Sequence, residues 1–334
     1  MKTEDIQVLE EGLRRSFRRL SPTGWGVLLA VSGGADSMTL LSGAARLAGR
    51  VGLTFEAATV DHHLRPEARA EVESVARFSK SLGVLHHVLD APITGTSGIE
   101  AAARTARYAA LESLRVERKL DQVATAHTAS DQAETLLMRL ARGTSLAGAA
   151  SIHETRADRV IRPLLFATRA EVEAYVAARE FGVCRDAMNA DPSYLRVRIR
   201  EQVLPVFEKA AGPGVERALA RFAAFAAEDE AWLSAEAGRA LSLVRWPEDD
   251  TLEAEALGAL GLPIARRVLA LWLTGRAVPL DGALLEDALR AARDRATATL
   301  PGDRVLACTN GRVTVLPAPA RLPTEARGLH ATSS

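Results

Sequence analysis

The chain reads as an α/β protein: a doubly wound parallel sheet followed by a smaller, mainly helical domain. Three observations predict this. From Trp25 to about residue 200, short apolar runs alternate with longer segments of helical period. The first of these runs, GVLLAV ending at Val31, is apolar throughout, as a strand covered on both faces must be. At 334 residues, with 48% hydrophobic and 25% charged residues, the chain has an ordinary globular composition and enough length for two cores.

Residues 1–24 read as an N-terminal amphipathic helix with Ile6, Leu9, Leu13, Phe17 and Leu20 on one face, ended by Ser21 and Pro22. After GVLLAV a helix carries Met38, Leu41, Ala44, Ala45 and Ala48 on one side. Phe55–Val60 is a second strand, and a helix is expected to begin near Pro66, where proline suits a first turn. Val84–Leu89 is a third strand, and Ile99, Ala102, Ala103, Ala106, Ala110 and Leu114 mark the helix after it. Gln122–Ala126 is a fourth strand, followed by a helix with Ala133, Leu136, Leu137, Leu140 and Ala141 in register. Val160–Leu165 and Val183–Arg185 are expected as edge strands, and Thr168 with Glu171 forms a capping box between them. Tyr194–Ala211 reads as a helix interrupted by Pro205.

The Gly212-Pro213-Gly214 turn sets the expected boundary between a domain at 25–211 and a mainly helical one at 215–316. Residues 215–296 show helical periodicity and no convincing strand. Thr297–Leu300 and Arg312–Leu316 flank turn signals and predict a short β-ribbon, with a frayed tail at 317–334.

Composition excludes several classes. No apolar run reaches the roughly 18–20 residues of a membrane-spanning helix, so no membrane partner is expected. The acidic start MKTEDIQVLEEG lacks the order of a secretory signal, and Cys184 and Cys308 form no CxxC, so a cytoplasmic location is expected. Lys+Arg and Asp+Glu number 42 each, so binding to a polyanion has to use local patches.

The chemistry-bearing residues follow the strands. After the first comes Ser32-Gly33-Gly34-Ala35-Asp36-Ser37. Adjacent glycines allow a sharp bend that brings backbone amides to a ligand, and the next helix adds free N–H groups and a positive dipole end. Ser32 and Ser37 can donate to phosphate oxygens. The loop has neither the GK[ST] ending of a Walker A motif nor the GxGxxG spacing, and is a different phosphate loop. Asp131 and Glu134, three apart at a helix start, share one face. They fit either a paired-carboxylate site for an ammonium group or the capping of a helix N-terminus.

SGGADS resembles the pyrophosphate-loop signature SGGxDS of the N-type ATP pyrophosphatases, and five further blocks narrow the family. Val60-Asp61-His62-His63-Leu64-Arg65 is similar to the VDHxLR segment of the tRNA(Ile)-lysidine synthetases, and Gly98–Tyr108 to their NxEAxARxxRY helix. AHTASDQAETLLMRLARGTSLAG, from Ala126 to Gly148, resembles AHHxDDQAETxLxRLxRGTGxxG. Arg162–Leu165 matches RPLL; Asp186–Asn189 with Tyr194 and Arg196–Arg200 resembles D-x-x-N…Y-x-R-N-x-I-R. The resemblance spans about residues 26–200; the second domain carries no sharp motif.

It implies an adenine nucleotide alpha hydrolase-like fold and a ligase that uses ATP and Mg²⁺. Family enzymes adenylate the C2 oxygen of the wobble cytidine in the CAU anticodon of tRNA(Ile), and free L-lysine then displaces AMP to give lysidine. Carried onto this sequence, residues 32–37 with Asp61 and His62 hold ATP, and Asp36 positions the metal. Asp131 and Glu134 hold lysine, and Arg196 stabilises charge during adenylation. Arg104, Arg107, Arg198 and Arg200 are phosphate or tRNA candidates, with surface ion pairs the alternative for Arg198 and Arg200. His62 and His127 stay open between structural and functional roles, the second domain is expected to bind tRNA, and a homodimer is left open. The chain is expected to stop before the additional C-terminal domain of longer members.

Three positions depart from the family pattern: Thr128 for its second His, Ser130 for its first Asp, and Val197 for its Asn. These changes keep a non-catalytic tRNA-binding homologue in view. An NAD-synthetase-like ligase is the other alternative, although it leaves the blocks at 98–108, 126–148 and 186–200 without a role.

Overall fold

The computed structural model describes residues 2–61, 68–92, 99–184 and 191–318. The chain divides into two compact units, Met1–Ala227 and Glu228–Ser334.

The first unit opens with α1 (Lys2–Leu20), β1 (Gly26–Ala30), α2 (Ala35–Val51) and β2 (Thr54–Asp61). It continues through α3 (Ala68–Ser81), β3 (Leu85–Asp90), α4 (Ile99–Glu117) and β4 (Gln122–Ala124). After these come α5 (Ala129–Leu140), α6 (Leu146–Ala149), β5 (Val160–Ile161) and α7 (Arg169–Arg179). The five strands form a parallel sheet in the order β3-β2-β1-β4-β5. Succession runs outward in both directions from β1, which makes the gap between β1 and β4 the topological switch point.

Both faces of β1 are covered, which is why its sequence lacks alternation. Val27 and Leu29 enter a core with Leu9, Leu13 and Phe17 of α1, Leu40, Leu41 and Leu47 of α2, and Val172 and Tyr175 of α7. Leu28 points to the opposite core, with Leu111 and Leu114 of α4. Each such fully buried side chain contributes roughly 1.5–3 kcal/mol. α1 approaches α2 closely: a Cβ added at Gly43 would lie 2.4 Å from Leu13 Cδ2.

Several elements differ from expectation. β4 ends at Ala124, two residues early, and beyond it Thr125 N still donates to Ile161 O at 2.9 Å. β5 is confined to Val160–Ile161 because Pro163 has no N–H and Leu165 N turns back onto Arg162 O at 3.2 Å. Val183 and Cys184 form no strand; Cys184 N donates instead to Gly33 O at 2.9 Å, and Arg185 lies outside the described residues. The helix expected from Pro66 is described from Ala68. The Thr168–Glu171 capping box is present.

The Tyr194–Ala211 segment is α8 (Leu195–Arg198), a π-helical turn (Ile199–Val203) and α9 (Leu204–Ala211). Leu204 N donates to Ile199 O, five residues back, which loosens the ladder just ahead of Pro205, a residue unable to donate. α10 (Val215–Val244) follows the Gly212–Gly214 turn, and the division between the units falls within this helix.

The second unit continues with β6 (Arg245–Trp246), β7 (Thr251–Glu253), α11 (Ala254–Ala259), α12 (Leu262–Thr274) and α13 (Gly282–Asp294). β8 (Thr297–Leu300), β9 (Arg304–Thr309) and β10 (Arg312–Pro317) close it. The expected ribbon is part of a five-stranded antiparallel sheet, β6-β7-β10-β9-β8. β6 and β7, two and three residues long, lie in the stretch read as strand-free, since so few residues cannot show a period of two. Leu252 of β7 is fully buried with Val268, Leu269, Leu273, Leu289 and Val313. Pro317, expected to begin the tail, closes β10 opposite Arg304, and residues from 319 onward lie outside the described set.

Candidate active site

In an open parallel sheet, ligands sit beyond the carboxyl ends of the strands at the switch point. Two segments emerge there: residues 32–37, between β1 and α2, and residues 125–128, between β4 and α5.

The first is a tight bend. Gly33 has φ of +89°, and a Cβ there would meet Cys184 Sγ at 3.0 Å, so conformation and space both select glycine. Ser37 Oγ accepts from Ser32 N at 3.1 Å and donates to Gly34 O at 3.0 Å, which fixes the bend. Gly34, the N-cap of α2, supplies no side-chain cap, so the first N–H groups of a 17-residue helix are left for a ligand. Ala35 and Asp36 lie in its first turn. Asp36 makes no hydrogen bond or ion pair with other described residues, and burial, reinforced by Asp131, raises its pKa to about 6.

The second segment begins α5 with a capping box: Asp131 accepts from Thr128 N at 2.8 Å and Thr128 Oγ1 accepts from Asp131 N. Asp131 is thus a helix cap, and its other oxygen faces Arg196 Nη2 at 3.5 Å. Glu134 is fully buried. It accepts from Arg196 Nε at 2.7 Å and from Arg200 Nε and Nη2 at 2.6 and 3.1 Å, with Arg169 Nη2 3.9 Å away. The two carboxylates share a face, as their spacing requires, and that face is occupied by guanidiniums.

Arg198 does not join them: it donates to the carbonyls of Pro192 and Ser193 at 2.8 and 2.7 Å. Arg104 and Arg107 of α4 stack on Tyr108 instead, with Cζ 5.2 and 5.4 Å from the ring centroid. His127 Nδ1 lies 3.0 Å from Thr125 Oγ1. Burial lowers its pKa to about 4; Asp131 opposes the shift, while Arg162, Arg107 and Arg104 add to it, so the ring is neutral at pH 7. Asp61 ends β2 with its carbonyl accepting from Ala91 N at 2.9 Å. His62 and Asp186–Asn189 lie outside the described residues.

Sequence reasoning missed two participants. Arg169, the first residue of α7, brings a third cation toward Glu134, and Glu216 of α10 accepts from the Ser130 hydroxyl. Neither carries a local signal, because each reaches the site only through folding.

A family model described as a PP-loop domain matches residues 9–207. A tRNA(Ile)-lysidine synthase of Thermobifida fusca is 39% identical over 264 residues, covering 78% of this chain and 80% of the relative. Another, from Salinispora tropica, is 36% identical over 323 residues, covering 93% of this chain and 96% of the relative. Among solved structures, a U34-tRNA thiolase of Methanococcus maripaludis matches with a TM-score of 0.58 over 68% of this chain and 81% of its own, at 17% identity, a likeness of fold alone.

Proposed function

We propose, from the premise that the chain belongs to the tRNA(Ile)-lysidine synthase family of PP-loop proteins, that it joins lysine to C2 of the wobble cytidine in the CAU anticodon of tRNA(Ile) at the expense of ATP. The observation that carries the reading is the placement of an amide-lined bend and an acidic pair on either side of one switch point. An NAD-synthetase-like reaction would leave the acidic pair and its arginines without a substrate.

The C2 oxygen of cytosine is a poor leaving group until it is adenylated. In the first step that oxygen bonds to the α-phosphorus of ATP, and the bond from phosphorus to pyrophosphate breaks. The bend at Ser32–Ser37 and the start of α2 hold the departing pyrophosphate. In the second step the lysine ammonium gives a proton to one of the two acids, the neutral ε-amine attacks C2, the C2–O bond breaks and AMP leaves. Asp61 and His62 take the adenine side in this proposal.

The acids have to receive lysine as a cation. Arg196 is 41% exposed where Arg200 is 18% exposed, so Arg196 is the partner that can turn away. The lysine ammonium then takes its place between Asp131 and Glu134, and Arg196 becomes free to stabilise charge on the phosphate. Asp36, partly buried and without an ion-pair partner among the described residues, is the residue that would hold a Mg²⁺ ion, which would neutralise phosphate charge. Among the described residues no cluster of three or more metal-binding side chains is present.

The wobble base leaves its stack to reach the site, as in other base-modifying enzymes. The second unit is assigned to tRNA contacts, and a cytoplasmic setting belongs to the same proposal. Among the described residues, no helix is long and apolar enough to cross a membrane. Nucleoside analysis of CAU-anticodon tRNA(Ile) after incubation with ATP and lysine tests the reading: lysidine and AMP are expected, and the absence of both overturns it.

A further inference from the structure

Among the described residues, three guanidiniums stand around Glu134, and two of them bond to it: Arg196 Nε and Arg200 Nε take separate carboxylate oxygens at 2.7 and 2.6 Å. Arg169 does not. Its Nη2 lies 3.9 Å from Glu134 Oε1, beyond hydrogen-bond reach, and that oxygen is already held by Arg200. Its Nε is buried and has no hydrogen-bond partner among the described residues. The side chain as a whole is 33% exposed, so a ligand can reach it. The backbone, by contrast, is fastened. Arg169 opens α7 and donates its N–H to Ser130 Oγ at 2.9 Å, while Ala129 N donates to Ala167 O at 2.7 Å, so the starts of α5 and α7 are bonded to each other. A guanidinium fixed at its root, with a buried donor left unpaired, adds little to the fold and is a ready receptor for an anion.

Two acids locate that anion. One is Glu134, on the side assigned to the lysine ammonium. The other is Asp36, in the first turn of α2 beside the bend assigned to pyrophosphate, where the charge of Arg169 is felt more strongly than that of Arg200. In the proposed chemistry the group joined to both sides is the α-phosphoryl. It parts from pyrophosphate in the first step, and in the second its bridging oxygen leaves the carbon that the amine attacks. We infer that Arg169 binds this α-phosphoryl group as it passes from ATP to the cytidine and departs in AMP; the inference rests on the function proposed above. When the C2–O bond breaks, its electron pair goes to the phosphate oxygen, and a guanidinium already in place meets the added negative charge without reorganising. An ammonium and a guanidinium drawn to one carboxylate also repel each other, and an anion between them offsets that repulsion. The outer phosphates of ATP and the carboxylate of lysine offer the same oxygen chemistry. The uncapped start of α2 already answers the outer phosphates. The carboxylate of an extended lysine lies at the opposite end from its ammonium, whereas Arg169 stands beside the acid that takes the ammonium.

The test uses the full chain with Arg169→Gln and Arg169→Lys, and thermal unfolding as the check on folding. AMP, adenosine, pyrophosphate and lysine are titrated separately by calorimetry, without RNA. Arg169→Gln is expected to lose about tenfold in AMP affinity, while its affinities for adenosine, pyrophosphate and lysine stay within about twofold of wild type. Arg169→Lys keeps the charge without the planar fork and is expected to fall between wild type and Arg169→Gln for AMP. A loss for pyrophosphate as large as that for AMP would assign Arg169 to the departing phosphates, and a loss confined to lysine would assign it to the carboxylate. An unchanged AMP affinity, or equal losses for AMP and adenosine, would leave Arg169 a structural residue. Each of these results overturns the inference. No RNA enters the titrations, so a chain that holds AMP through Arg169 yet forms no lysidine would refute the proposed function and leave the phosphoryl contact standing.

Discussion

Replacing Glu134 by glutamine removes one charge and almost no volume from the most enclosed ion pair among the described residues of the first unit. Glu134 is fully buried, and Arg200, 18% exposed, holds it through two hydrogen bonds at 2.6 and 3.1 Å. Removing one member of a buried pair costs about 3–5 kcal/mol, because the other charge loses its closest counter-ion while staying largely desolvated. Arg196 adds little to this figure, since it is 41% exposed and keeps Asp131 at 3.5 Å. Glu134→Gln is therefore expected to lose about 3 kcal/mol, and Arg196→Gln no more than about 1 kcal/mol. Both remain folded if the unit has the usual 5–15 kcal/mol of stability. Urea unfolding followed by far-UV circular dichroism reads the difference as a midpoint shift of about 1 M for Glu134→Gln. Equal losses for the two variants, or a Glu134→Gln loss below about 0.5 kcal/mol, would refute the clamp and leave Glu134 a purely catalytic acid.

Three further outcomes are expected. Asp36 binds its proton more tightly in the folded state, with a pKa raised from 3.8 to about 6, so its contribution to stability falls as pH rises between those values and is constant above them. The two-unit shift is worth at most about 3 kcal/mol, so metal-free and nucleotide-free Asp36→Asn should melt higher than wild type at pH 7 and match it near pH 4; equal melting at both pH values would contradict the shift. The His127 ring should titrate with a midpoint near 4 by proton NMR, and a midpoint near 6.5 would show that it is neither buried nor crowded by cations. Gly43→Ala places a methyl group 2.4 Å from Leu13 Cδ2 and should cost about 1–3 kcal/mol by urea unfolding, with no loss if α1 can shift freely.

The parts legible in the sequence are those whose causes are local. β1 is readable because burial on both sides makes Val27, Leu28 and Leu29 uniformly apolar. The bend at Ser32–Ser37 is readable because adjacent glycines announce a sharp turn, and Gly33, with φ of +89°, adopts a backbone that favours glycine. The spacing of Asp131 and Glu134 fixes their shared face without any tertiary information. What occupies that face is another matter: Arg196 and Arg200 come from 62 and 66 residues away from Glu134, Arg196 on α8 and Arg200 within the π-helical turn, which no local pattern announces. β6 and β7 escape for a related reason, since their two and three residues acquire strand geometry only by pairing with each other and with β10.

The departure at position 130 becomes intelligible once long-range partners are visible. Where the family pattern has an aspartate, Ser130 is buried at 1% exposure, donates its hydroxyl hydrogen to Glu216 and accepts from Arg169 N at 2.9 Å. An aspartate there would set a buried carboxylate against that of Glu216, which favours protonation of one of the two. Serine instead joins α5, α7 and α10 through a single oxygen that both donates and accepts. A carboxylate is thus still present beside α5, supplied by Glu216 of α10 rather than by the helix itself. Asp36, Asp131 and Glu134, the acids assigned to metal and lysine, remain in place around the bend. The substitution leaves a negative charge beside α5 and does not empty the site, which is the physical reason for reading this chain as an active ligase.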